Sequence, residues 1–304
     1  MPKIFPIGGG KGGIGKSFIS ASLGALIAER GPKTAVIDLD LGTSNLHTLL
    51  GIQNPPSGID GFLKKTTSKL ADMAVPTTTP NLFFISSLHC SMEIANLFYA
   101  QKVKLIGAIR NLPFEYILLD LGAGTNYNTL DFFLTASQGI FICTPEPTSI
   151  ENAFRFIKAA YLRKIKRIIK TRAFNSAVKH AMADTPQKRL QSDGIIDLVL
   201  KYDPEKEPVL RTRLGRFSFQ FILNQFRKNI DPALGEKIET VCNRHFYSNF
   251  RFLGNISYDE RVVESIFSKK LYIRKYPHTA TSADLKKIAA AITQNTPGGG
   301  SGTA

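Results

Sequence analysis

Cysteine is scarce and scattered: Cys90, Cys143 and Cys242 are the only three in 304 residues, and no two share a C-x-x-C spacing. They offer no paired thiolates for an iron–sulfur cluster or zinc, and free thiols fit a reducing compartment. No uninterrupted apolar run reaches the ~20 residues of a membrane span, and no cleavable signal-like stretch precedes the first apolar run. Acidic residues are also in short supply, with 24 Asp/Glu against 39 Lys/Arg and a formal charge of +15. The imbalance is local, since residues 154–228 hold 18 Lys/Arg against 6 Asp/Glu.

What the chain does have, within its first twenty residues, is GGGKGGIGKS at 8–17. Gly10 to Ser17 satisfies the phosphate-loop pattern G-x-x-x-x-G-K-[ST], between the apolar run Ile4–Ile7 and a helical stretch from Phe18, which is the context that gives the pattern meaning. Glycines let backbone N–H groups converge on phosphate oxygens, and the helix N-terminus adds its positive dipole end. Lys16 is placed to reach the β- and γ-phosphates and Ser17 to hold Mg²⁺. The candidate nucleotide contacts are Gly10, Gly12, Gly13, Ile14, Gly15, Lys16, Ser17 and Phe18. Lys11 is an additional lysine that an ordinary loop of this kind does not need.

The other parts of a nucleotide hydrolase follow in order. Thr34–Leu39 reads as a buried strand ending in Asp38-Leu39-Asp40-Leu41-Gly42, with Asn45-Leu46 beyond. Tyr116–Leu119 reads as a second, ending in Asp120-Leu121-Gly122-Ala123-Gly124, where an acid capping an apolar strand is placed to face Mg²⁺ through a water. Gly139–Thr144 reads as a third and leads into Pro145-Glu146-Pro147-Thr148-Ser149; Phe219–Gln225 delivers Asn224; and Phe252–Asp259 reads F-L-G-N-I-S-Y-D. Alternating βα units predict an α/β fold, a doubly wound, mostly parallel sheet with helices on both faces and the ligand at the strands' carboxyl ends.

These strings, in this order, resemble the MinD/ParA family of deviant-Walker-A ATPases. The T-P-E-P-T-S segment is similar to its flagellar-number branch, FlhG or FleN. The resemblance implies that Lys11 acts across a dimer interface on the partner's nucleotide, and that Asp40 positions the attacking water beside the metal shell, with Asp38 structural. It also implies that the Gly122 N–H senses the γ-phosphate, and that Asn224 and the segment Ser257, Tyr258 and Asp259 lie against the base. Lys11, Lys16 and Asp40 are thus the candidate catalytic residues, and Ser17, Asp40 and Asp120 the metal site, with ATP and Mg²⁺ as cofactors. Two positions depart from the family pattern: Asn152 stands where an acidic residue usually holds the signature lysine, and Ser257 replaces the usual proline.

Residues 1–293 are expected to form one ATPase domain with a basic helical extension or insertion at about 158–217, about forty residues of it (175–216) exceeding the usual helix-to-strand spacing. Gln294–Ala304 is expected to be a disordered Gly/Ser tail after a capped helix Ser282–Ile292, where MinD carries an amphipathic membrane helix. From Phe154 to Phe174, Phe154, Ile157, Tyr161, Ile165 and Ile168 fall on one helical stripe, with Arg155, Arg163, Lys166, Arg167 and Lys170 opposite. That basic segment, 154–228, admits a solvated face, a nonspecific DNA surface or an anionic-membrane surface. The expectation is a cytoplasmic ATPase switch, able to associate with nucleoid, pole or membrane, that forms an ATP-dependent homodimer and answers to a regulatory protein. The alternatives are a biosynthetic ligase on the same fold and a nucleotide-binding adaptor without turnover.

Overall fold

The strands are β1 (Lys3–Gly8), β2 (Thr34–Leu39), β3 (Val75–Pro76), β4 (Leu82–Ile85), β5 (Tyr116–Leu121), β6 (Gln138–Cys143), β7 (Ser218–Phe226) and β8 (Asn249–Ser257). They form one sheet in the order β3-β4-β2-β5-β1-β6-β7-β8. Every pairing is parallel except that of the two-residue edge strand β3 with β4. The structure is a computed structural model and describes residues 1–56, 58–64, 69–90, 97–169, 204–246 and 248–294.

Parallel strands need crossovers, and the helices between them cover both faces. On one face lie α1 (Lys16–Ala28), α2 (Leu46–Leu49) and, later in the chain, α9 (Arg261–Phe267), α10 (Tyr272–Lys275) and α11 (Ala280–Gln294). The other face carries α3 (Ile59–Leu63), α4 (Tyr99–Arg110), α5 (Tyr127–Phe133), α6 (Pro147–Ile168), α7 (Glu207–Gly215) and α8 (Leu234–His245). The period-2 pattern divides each strand between the two cores: Ile117, Leu119 and Leu121 of β5 face one, Tyr116 and Leu118 the other. Across β6, β7 and β8 the first core is lined by phenylalanines, with Phe141 stacked on Phe221 at 5.1 Å and Phe219 on Phe250 at 4.7 Å between centroids. Such pairs contribute about 0.5–1.5 kcal/mol beyond area burial.

The strand expectations hold to within two residues; the segment at 252–259 lies partly in β8, Asn249–Ser257, which ends before Tyr258 and Asp259. The last helix is longer than expected, Ala280–Gln294 instead of Ser282–Ile292. Of the insertion, its C-terminal part is described. It forms α7, whose Leu210 and Leu214 are fully buried and which packs against α6. The apolar pattern at Ile195–Leu200, the stretch from 170 to 203 and the tail from 295 on lie outside the described residues.

One expectation about α6 needs correction. Ile157, Tyr161 and Ile165 are buried as the stripe requires, but Phe154 and Ile168 are half-buried, and Phe156, Ala160 and Leu162 are buried beside them. Arg163 and Arg167 do not belong to a free opposite face. Both turn onto Asp131, a buried carboxylate of α5: Arg163 grips both oxygens at 2.7 and 2.9 Å, and Arg167 reaches Oδ1 at 2.5 Å. Lys102 of α4 adds a third cation at 2.5 Å. A buried anion is tolerated only when paired, and helical periodicity in α6 alone cannot reveal an anion on another helix.

Candidate nucleotide site

The loop from Gly9 to Gly15 joins β1 to α1 at the carboxyl ends of the central strands. Gly10 lies directly on the main chain of α6, where a Cβ would stand 2.2 Å from the Asn152 carbonyl oxygen. Gly15 is left-handed at φ 88°, caps α1 without a side-chain hydrogen bond and would drive a Cβ to 2.3 Å from the Asn224 amide. The first turn of α1 therefore keeps unsatisfied N–H groups aimed out of the loop, which suits an anion. Two β7 side chains hold the loop's carbonyls: Asn224 Nδ2 donates to Ile14 O at 2.8 Å, and Gln225, itself left-handed at φ 58°, donates to Gly13 O at 3.3 Å.

Lys16 is 8% exposed. Burial lowers its pKa, and the charges of Asp120 and Asp40 offset this in part. Asp38 and Asp120 stand side by side because β2 and β5 are adjacent and hold them in register, and Asp40 follows two residues after Asp38. Asp120 is fully buried, with Ser20 of α1 donating to it at 3.0 Å. Burial first, then the charge of Asp38, pushes its carboxyl up to about 7, against hydrogen bonds from Ser17 and Ser20 and the charge of Lys16. A buried carboxylate so short of positive charge, beside a half-buried hydroxyl at Ser17, suits a divalent cation.

Asp38 is satisfied internally: Ser44 Oγ donates to Oδ2 at 2.6 Å, Leu46 N to the same oxygen at 3.2 Å and Asp40 N to Oδ1 at 3.0 Å. It therefore shapes the loop that carries Asp40. Asp40 caps Thr43 N at 3.2 Å and stands against Gly122, where a Cβ would come within 3.2 Å of Oδ1. Asp40, Gly42, Thr43, Gly122 and Asn126 line a cavity of about 320 Å³. Gly124 N bonds Gly9 O at 3.2 Å, tying this second loop to the first. A hollow of about 580 Å³ lies at the opposite end of the sheet, lined by Met1, Lys3, Glu115 and Tyr116 among others, remote from these groups.

Lys16 Nζ donates to the Lys11 carbonyl at 3.5 Å, while the Lys11 ammonium pairs with Glu146 Oε2 at 3.5 Å, with side chains 44% and 60% exposed. Thr144 Oγ1 steadies the same carboxylate oxygen at 3.3 Å. Glu146 thus takes the acidic role that the departure at Asn152 leaves open. Its signal was in the sequence, inside the segment after β6, but nothing in spacing alone paired it with Lys11. Ser20, Ser44 and Gln225 were also missed, each a common polar residue whose role depends on the strand or helix opposite.

Asp259 is held by two side chains: Arg261 grips it at 2.9 and 2.7 Å and Tyr272 OH donates at 2.5 Å. The Arg261 hydrogen bond and then that of Tyr272, against burial, bring its carboxyl down to about 2. Tyr258 lies under the Arg227 guanidinium at 3.7 Å. Phe18 is buried edge-on to Tyr272 at 5.5 Å between centroids. Among the described residues no group of three or more His, Cys, Asp and Glu side chains could hold a metal by itself. A Mg²⁺ that keeps waters and phosphate oxygens needs only one or two carboxylates and a hydroxyl, which this pocket has.

The fold and loop together define a P-loop nucleotide-binding α/β protein with two lysines and two acids at the strands' carboxyl ends. The chain belongs to the CobQ/CobB/MinD/ParA nucleotide-binding family, whose domain model matches residues 6–272. It is 31% identical over 159 residues to the septum site-determining protein MinD of Helicobacter pylori, a match covering 52% of this chain and 58% of that one. The chain therefore spans little more than half the length of such a curated relative. Among solved structures, MinD of Pyrococcus horikoshii complexed with Mg-ADP shares the fold at a TM-score of 0.65 and 19% identity, with 96% of each chain covered. The MinC:MinD complex of Aquifex aeolicus does so at 0.62 and 17% identity, with 97% of each covered. Among the described residues no helix is long and apolar enough to cross a membrane.

Proposed function

We propose that this protein is a Mg²⁺-dependent ATPase switch of the MinD/ParA type that dimerises around ATP and acts in spatial organisation or regulation. The observation that carries the reading is the position of Lys11. Its ammonium sits outside its own loop in a half-exposed ion pair, and such pairs are worth about 0–1 kcal/mol. It is released cheaply to a better anion, and the phosphates of a nucleotide on a second copy provide one.

The other residues divide the work of phosphoryl transfer, which asks mainly for positioning and charge stabilisation. Loop N–H groups and Lys16 hold the phosphates, Asp40 orients water in the cavity it shares with Gly122, and Asn224 faces the base. Ser17, Asp40 and Asp120 would hold Mg²⁺, which supplies charge neutralisation at the phosphate oxygens. Gly122 and Gly124 form a loop free to change backbone conformation with nucleotide state. A regulatory partner sets the lifetime of the ATP-bound state. MinD relatives point to division-site placement, and the T-P-E-P-T-S segment to flagellum number.

Lys11→Ala is expected to keep ATP binding and lose ATP-dependent dimers in sedimentation equilibrium; normal dimerisation of that variant would sink the trans-lysine assignment. Asp40→Ala is expected to trap the ATP dimer, and unchanged phosphate release would remove Asp40 from its role.

A further inference from the structure

Ser257 ends β8 in register with Phe226 of β7, two residues beyond the Asn224 that holds the P-loop. Both of its polar hydrogens go to one atom. Its backbone N–H and its hydroxyl donate to Asp284 Oδ2 at 3.0 and 2.7 Å. Asp284 lies near the start of α11, and Thr281 of the same helix end donates its hydroxyl to the Ser257 carbonyl at 2.8 Å. Tyr272, which holds Asp259, contacts Thr279 just before that helix at 2.9 Å. The loop from 257 to 259 is thereby fastened to the N-terminal end of α11, which itself packs along α1, the helix of the P-loop.

This fastening answers a physical need. The Ser257 N–H is spent on the carboxylate of a helix and not on a neighbouring strand, so a proline there would forfeit the bond to Asp284 but no ladder bond, and would fix φ on its own. Serine leaves the loop freer and supplies two donors; hydrogen bonds to a carboxylate are about twice as strong as neutral ones. The carboxylate of Asp284 does for this loop what a ring at position 257 would otherwise do.

We propose that Asp284 is a positioning residue for the nucleotide base, holding the 257–259 loop through Ser257, so that base recognition depends on α11. The proposal rests on the reading that Asn224 and this loop face the base.

Calorimetric binding of ATP, ITP and tripolyphosphate to the whole chain and its variants tests it. Asp284→Ala is expected to weaken ATP about tenfold, to narrow the preference for ATP over ITP, and to leave tripolyphosphate, which probes the P-loop alone, unchanged. Ser257→Pro in the Asp284→Ala background is expected to restore ATP affinity, a rescue that a merely structural carboxylate would not permit. If Asp284→Ala loses tripolyphosphate as well, Ser257→Ala, which keeps the carboxylate and the main-chain bond, decides by the same ATP-to-ITP ratio. An unchanged ATP-to-ITP ratio in both variants, with the ratio narrowed in Asn224→Ala, overturns the clamp and leaves the base site standing. A ratio unchanged in Asn224→Ala as well, whatever its effect on tripolyphosphate through the P-loop, overturns the base site and the clamp with it.

Discussion

At the scale of single residues, the site holds its charges at a cost to stability. Asp120 illustrates this most plainly. Its carboxyl is raised from 3.8 to about 7 by burial and by Asp38, so the folded protein takes up a proton that the unfolded chain releases. Stability attributable to this group is therefore greatest at low pH and falls as pH rises from about 4 to about 7. Asp120→Asn is expected to stabilise the nucleotide-free protein above pH 7 by on the order of 1 kcal/mol and to have little effect near pH 4, while abolishing Mg²⁺-dependent nucleotide binding. Thermal melts in chelator at pH 5 and pH 8 check this, and a pH-independent difference would contradict the charge assignment. Lys16, with its pKa lowered by burial, belongs to the same unbalanced set. A bound anion beside Lys16 and a cation beside Asp120 would offset both costs together.

At the scale of elements, α6 does two jobs. Its start, at Glu146 and Asn152, meets Lys11 and Gly10 of the P-loop, and its end delivers Arg163 and Arg167 to Asp131. Burial alone would raise the Asp131 carboxyl, but hydrogen bonds from Arg163 and Lys102 and the charge of Arg167 outweigh it and bring it to about 2. The depressed value means a stabilising contribution that is complete above the unfolded value near 4 and lost as pH falls through about 2. Asp131→Asn leaves three cations around a neutral group and is expected to cost about 3–5 kcal/mol at neutral pH, with the cost shrinking in acid. Denaturant titration at pH 7 and pH 3 measures both. In α1, Gly24 packs so close to β2 that a Cβ would lie 2.3 Å from Val36 Cγ2. Gly24→Val is expected to destabilise by about 1–3 kcal/mol, read from the urea midpoint.

At the scale of the whole molecule, the charge of +15 is not one free surface. Two of the arginines that the sequence assigns to an open helix face neutralise a buried acid. Yet three cations on one carboxylate leave a local positive excess around Asp131. A phosphate-rich surface is an expected target for the remaining charge of 154–228, because counterion release favours binding without base contacts. Binding to random duplex DNA that requires ATP and weakens steeply with salt would place the protein on DNA in a partitioning role. Absence of binding in every nucleotide state would favour a membrane or pole partner.

The phosphate loop, the two acids, the strand that delivers Asn224 and the alternation of strands and helices were all legible in the sequence, because phosphate chemistry needs fixed residue types at short spacing. The order of the strands was not, nor was the pairing of Lys11 with Glu146, of Asp131 with α6, or of Ser257 with Asp284. Those partners lie 135, 32 to 36 and 27 residues apart along the chain. Local pattern fixes which element forms and which face it buries. Which charge ends beside which is decided only when the crossovers set the sheet order, because a buried ion or hydrogen bond depends on a partner that the local sequence does not name.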